Sequence, residues 1–256
     1  MKKGFHYALL TAAILTLASC STTKYVPDGS YLLDEVRIHT DNKNVKPSNL
    51  SIYVRQNPNS KWFSLIKTQL YVYNWSGRDS TRWVNRALRR LGDAPVIYSK
   101  EETERSREEM TKAVQNMGYM GATVEYIPKI KKKKVKLAYK VNTGEPYIVR
   151  SLKYDVQDEK IWEYMQKDSA STYLSEGMYF NANILDSERQ RITGNLLRNG
   201  YYKFNKDYIS YTADTVRGTY QVDLTLHLAR YRQHSGAELQ DHPQYTINKV
   251  NFIADY

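Results

Sequence analysis

Met110-Thr111-Lys112-Ala113-Val114-Gln115-Asn116-Met117-Gly118-Tyr119 sets Met110, Ala113, Val114 and Met117 along one stripe of a helix, then follows the stripe with glycine and tyrosine. Gly118 stands where a C′ glycine closes a helix with positive φ. Upstream, Ser99 with Glu102 three residues later is a capping-box start. The same ending recurs 82 positions on (200 − 118). Ile192, Leu196, Gly200 and Tyr201 match Met110, Val114, Gly118 and Tyr119, and Leu185 extends the second stripe. Four matches in one register make a repeat.

After each glycine the apolar period falls to two. Residues 123–127 and then Val135, Leu137, Tyr139 and Val141 read as a hairpin around a turn at 128–134. In the second copy 208–212 leads through 214–218 into Val222, Leu224, Leu226 and Leu228. Each copy also opens alike. Tyr31, Leu33, Val36 and Ile38 share their spacing with Tyr147, Val149, Leu152 and Tyr154, and with Tyr245, Ile247, Val250 and Phe252. The three-residue step breaks strict alternation and predicts a bulged strand. A further helix is expected at 48–56 and at 159–167. The fold class is therefore α+β: tandem β-α-α-β-β modules, each a small three-stranded sheet with two helices on one face.

These signals divide the chain into a first module at 31–145, a second at 146–232, and a polar linker with the first strand of a truncated third repeat at 233–256. The first copy carries an aromatic insertion near 58–98 that includes Trp62, Trp75 and Trp83. It reads either as a contact surface or as an elaborated core.

The N-terminus reads as an address. Lys2 and Lys3, the apolar run 7–17 and Leu17-Ala18-Ser19-Cys20 form a lipoprotein signal peptide over 1–19, with Cys20 as the acylated residue and 20–30 as a lipidated linker. Cys20 is the only cysteine, which excludes an intrachain disulfide and a Cys-based zinc site. The formal charge is +11, or +9 once Lys2 and Lys3 leave with the signal. A site beyond the inner membrane, on the periplasmic face of an outer membrane, removes chromosomal nucleic acid as a partner. No metal-ligand spacing, Walker pattern or Gly-x-Ser-x-Gly occurs, so the sequence supports no catalysis and calls for no cofactor. Lys129 and Lys131 to Lys134 gather at the first hairpin tip, either as a solvated turn or as a contact for anionic headgroups.

The repeated β-α-α-β-β unit with its helix-Gly-Tyr junction resembles the POTRA (polypeptide-transport-associated) domain. The lipobox, Lys24-Tyr25-Val26-Pro27-Asp28-Gly29-Ser30-Tyr31, Tyr53-Val54-Arg55-Gln56-Asn57-Pro58 and Pro95-Val96-Ile97-Tyr98 are similar to the lipid-anchored translocation-and-assembly branch of the barrel-assembly superfamily. That resemblance implies a periplasmic region that binds clients or docks partners during outer-membrane barrel assembly, without the barrel. The implied partners are the outer membrane through Cys20, unfolded outer-membrane proteins, and an inner-membrane or periplasmic assembly subunit. In such a unit the first strand returns beside the last and leaves the second strand at the edge. The candidate client-binding edges are Tyr208, Ile209, Ser210 and Tyr211, with Thr123, Val124 and Glu125 in the first module, where Pro128 is expected to end the strand. The competing reading is a standalone structural lipoprotein that scaffolds an envelope complex. The reading frame beyond Tyr256 separates the two.

Overall fold

A computed structural model describes residues 22–62 and 66–252. Cys20, the signal peptide and residues 253–256 lie outside the described residues. The chain divides into two compact units: 1–112 with 123–142, and 113–122 with 143–256.

The first unit builds a three-stranded sheet from β1 (Leu32–Thr40), β2 (Thr123–Lys131) and β3 (Lys134–Asn142), in the order β1-β3-β2. β1 runs parallel to β3, and β2 antiparallel to it. β3 is central because it alternates perfectly: Val135, Leu137, Tyr139 and Val141 are buried. Each such side chain contributes roughly 1.5–3 kcal/mol by leaving water. The helical region before the capped helix is shorter than the sequence suggests. α1 (Pro47–Leu50) is one turn, continued by a 3₁₀ turn at Ser51–Tyr53. The insertion supplies α2 (Thr68–Trp75) and α3 (Trp83–Leu91). Leu70 and Asn74 are buried, as an elaborated core requires, whereas Trp62, Trp75 and Trp83 stand exposed.

α4 (Lys100–Asn116) begins as expected, with the Ser99 hydroxyl accepting from the Glu102 amide at 3.3 Å. Glu102 does not return the bond. Its carboxylate takes the Arg55 guanidinium at 3.0 Å instead. Met110 is buried, and Gly118 sits at φ +100°.

The second unit repeats the plan with β4 (Ile148–Val156), α5 (Glu159–Lys167), α6 (Ala182–Arg198), β5 (Ile209–Thr215) and β6 (Gln221–Leu228), in the sheet order β4-β6-β5. Its core joins Val149, Ile161, Leu185, Ile192, Leu196 and Tyr201 to the inward row Val222, Leu224, Leu226 and Leu228. Gly200 closes α6 at φ +87°. The expected bulges occur in both first strands, between Leu33 and Glu35 and between Val149 and Ser151. Each extra residue, Asp34 or Arg150, holds an ion pair, to Lys67 and to Asp223 respectively.

Two strand boundaries need correction. Pro128 does not end β2, which continues to Lys131, with Pro128 opposite Leu137. Proline is tolerated there because β2 is an outer strand. Tyr208 is not in β5. The Asn205 side chain accepts from the Asp207 amide at 2.8 Å and winds Lys206–Tyr208 into a 3₁₀ turn before the strand begins.

Residues 230–245 are more than a linker. Tyr231 bridges to Gln240, and His242 is buried, its amide donating to Asp158 Oδ2 at 2.8 Å.

Candidate functional site

Each sheet has two outer strands, and they are not equally open. In the second unit, β4 is covered where it begins. Gly177 donates to the Val149 carbonyl at 2.8 Å, Val149 to Met178 at 2.9 Å, and Phe180 to Tyr147 at 2.8 Å. The first unit closes β1 the same way, with Leu33 donating to Val96 at 2.8 Å and Tyr98 to Tyr31 at 2.8 Å. These short covers flank the capped helices. They carry no strand-length pattern, and the sequence reading missed them.

The outer side of β5 has no such cover among the described residues. Val216 donates to Gln221 at 2.9 Å and Ala229 to Tyr208 at 2.8 Å, so the even-numbered residues between them face β6. In an antiparallel pair the intervening residues aim their amides and carbonyls the other way. Ile209, Tyr211, Ala213 and Thr215 therefore present backbone groups outward, a row of donors and acceptors suited to another strand.

The side chains alternate accordingly. Ile209 is fully buried, whereas Ser210, Thr212 and Asp214 are exposed. Between β5 and α6 lies a groove of about 400 Å³, floored by Leu185, Ile209 and Tyr211. Its lip is charged. Arg189 donates to the Lys206 carbonyl at 2.9 Å and pairs with Asp186 at 3.3 Å and Asp207 at 3.4 Å. An extended segment added to β5 would lay alternate side chains into this apolar floor. Sequence reasoning found the strand and missed the groove, because α6 reaches β5 only in the folded unit.

On the opposite face, His227 joins all three strands. Its Nδ1 lies 2.9 Å from Asp155 Oδ2 and its Nε2 2.9 Å from Thr212 Oγ1. The arrangement has the order of an acid-imidazole-hydroxyl relay, but it lies on an open sheet face and cross-links strands.

In the first unit, Thr123 and Glu125 are exposed and Val124 is buried. Pro128 removes one amide donor from that edge. Of the two candidate edges, β5 is the more complete. No group of three or more His, Cys, Asp or Glu able to hold a metal occurs among the described residues. No helix among them is long and apolar enough to cross a membrane.

Residues 31–144 match the POTRA family, described as a surface antigen variable number repeat. No curated protein matches the chain. Among solved structures, BamA of Haemophilus ducreyi lacking POTRA domains 1–3 is 18% identical with a TM-score of 0.38, covering 77% of this chain and 29% of its own. Haemophilus influenzae BamA POTRA3–5 is 14% identical with a TM-score of 0.31, covering 80% and 99%. POTRA1–2 of Anabaena Omp85 is 12% identical with a TM-score of 0.33, covering 79% and 98%. These likenesses are too loose to carry function. Residues 31–144 match the POTRA family model, and both units share a POTRA-like α+β plan of a three-stranded mixed sheet with helices.

Proposed function

We propose that the chain is the periplasmic POTRA region of a lipid-anchored outer-membrane protein that takes up unfolded barrel proteins during their assembly or translocation. The observation that carries this reading is the uncovered outer edge of β5, lying over the groove against α6. POTRA domains are non-catalytic binding modules, and the POTRA match of the first unit supports such a role for the chain. Backbone pairing at an edge accepts many sequences, which suits a module that serves many clients. Acylation at Cys20 would hold the module to the membrane that its clients enter.

The test is site-specific photo-crosslinking in cells. A photoreactive residue at Ser210 or Asp214 should capture unfolded outer-membrane proteins, while one at Tyr179, on the cover of the opposite edge, should not. Equal capture from both positions would contradict the reading.

A further inference from the structure

The first hairpin places like charges directly opposite each other. Lys129 pairs in register with Lys136, and Lys131 with Lys134. Residues opposed in this way share one face of a sheet, so all four lysines lie on one side of the β2-β3 ribbon. The buried row Val135, Leu137, Tyr139 and Val141 occupies the other side, so the lysines hold the face turned away from the core. Opposed like charges destabilise a ladder unless something stands between them.

Among the described residues their charge is only partly offset. Lys136 reaches Glu35 at 3.2 Å, but Glu35 also holds Arg37 at 2.7 Å. Lys133, at the tip, pairs with Asp28 at 2.7 Å. Among the described residues no carboxylate pairs with Lys129, Lys131, Lys132 or Lys134. Asp34, the bulge residue of β1, lines the same space; its carboxylate holds the buried Lys67 at 3.0 Å and also attracts Lys134 and Lys136, so one acid is shared among three lysines. Burial, with repulsion from Lys61 and Lys134, holds the Lys67 ammonium below its ordinary pKa despite that partner. The tip is strained as well, since Lys132 adopts φ +54°, a left-handed conformation that disfavours side chains with a Cβ.

The lysines do not form a flat patch. With Asp34, Tyr71 of the insertion and Thr22 and Thr23 of the N-terminal segment they line an open cavity of about 640 Å³. We propose that this cavity is an anion site for a phosphate-bearing group, held by Lys129, Lys131, Lys134 and Lys136. A phosphate monoester concentrates nearly two negative charges on three oxygens, and lysine binds phosphate as a point charge. Such a ligand would stand between the opposed pairs and relieve their repulsion. Thr22 and Thr23 lie just after Cys20, so with the acylation proposed above a lipid headgroup is the source within reach. The anion site itself does not depend on that anchor.

The experiment uses the full chain in a non-ionic detergent, titrated with dihexanoyl phosphatidic acid, with inorganic phosphate and with dihexanoyl phosphatidylcholine. Phosphatidic acid should bind and the zwitterionic lipid should not. Replacing the four lysines together (Lys129→Gln, Lys131→Gln, Lys134→Gln, Lys136→Gln) should weaken binding at least tenfold. Removing the same charge elsewhere (Lys43→Gln, Lys46→Gln, Lys160→Gln, Lys249→Gln) should change it less than twofold. In phosphate-free buffer the cavity variant should melt no lower than the parent, which separates lost binding from lost fold. Equal affinity for inorganic phosphate would assign the site to free phosphate and keep its chemistry. Undiminished binding in the cavity variant, an equal loss in the control, or no binding of either phosphate probe would overturn the proposal.

Discussion

The amide of Tyr245 donates to the carbonyl of Gly200 at 2.7 Å, and the amide of Tyr147 donates to the carbonyl of Gly118 at 2.9 Å. Both tyrosines open a copy of the same apolar spacing, and both glycines close a capped helix. Tyr147 leads into β4, whereas 245–252, expected as a strand, forms none. The repeat therefore shows itself twice, in the spacing of its apolar residues and in where each new copy is tied. It also explains why glycine is needed. A Cβ at Gly200 would lie 2.5 Å from the Tyr245 carbonyl oxygen, and one at Gly118 would overlap the Phe180 carbonyl.

Gly200→Val should therefore destabilise the second unit by about 1–2 kcal/mol from the left-handed backbone alone, with the collision at Tyr245 adding to that. Gly194→Ala is the control. Gly194 lies inside α6 with only the tip of Arg198 near, at 3.6 Å, so alanine should stabilise by up to ~1 kcal/mol. Urea midpoints measure both. An unchanged midpoint for Gly200→Val would remove the conformational role of the junction.

Glu188 is buried on α6 with Arg191 at 2.7 Å, the Tyr173 amide at 3.0 Å and the Thr172 hydroxyl at 2.8 Å. Burial pushes its carboxyl up, and these three partners more than offset the push, leaving its pKa below the ordinary value. The ion pair thus adds stability above about pH 4.3 that is lost as the solution is acidified. Arg191→Met should destabilise by roughly 3–5 kcal/mol, because it strands a buried charge. It should also move acid unfolding to higher pH. An acid titration followed by circular dichroism checks both effects.

His242 has the opposite charge logic. Phe204, Tyr208 and Tyr231 surround its ring at 4.9, 4.6 and 5.8 Å, and Nε2 lies 2.9 Å from the Ala229 carbonyl. Burial lowers its pKa, against the pull of the Ala229 carbonyl and of Asp158 and Asp241. The unfolded chain then binds the proton more readily than the folded one. Its contribution is full above about pH 6.5 and is lost as pH falls below that value through the lowered pKa. His242→Phe should flatten the fall in stability between pH 7 and pH 5. An equally steep fall in the variant would show that other groups cause it.

Much of this fold was legible because its signals are local. The stripe ending in Gly118 and Tyr119, the alternation of 135–141 and the three-residue step in each first strand concern residues close in sequence, and each has one geometric meaning. What escaped depends on partners far along the chain. Glu188 interrupts the apolar stripe between Leu185 and Ile192, and only Arg191, Thr172 and Tyr173 make its burial tolerable. His242 sits in a polar stretch whose docking requires Asp158, 84 positions away. Tyr208 has strand-like composition, but a side-chain cap from Asn205 turns it out of β5. For the candidate site, the strand could be read from alternation, whereas its open edge and groove depend on what covers β4 and where α6 lies.

Acylation should depend on one atom. Cys20→Ser removes the thiol that the lipobox reading acylates, so on that reading the variant should fold, incorporate no radiolabelled fatty acid and leave the membrane fraction. Lipid incorporation into that variant, or unchanged fractionation, would contradict the lipobox reading.

The edge itself is tested most directly at Ala213. Its amide faces away from β6, and its side chain is small enough that proline leaves the core row of Ile209 and Tyr211 intact. Ala213→Pro removes one outward donor, and a single hydrogen bond of this kind is worth about 0.5–1.5 kcal/mol. The measurement is the affinity of the full chain for a peptide from a barrel strand, before and after the substitution, with the melting temperature as a check on folding. Edge pairing predicts a loss of roughly three- to tenfold at an unchanged melting temperature. Undiminished affinity in the folded variant would contradict client capture at β5.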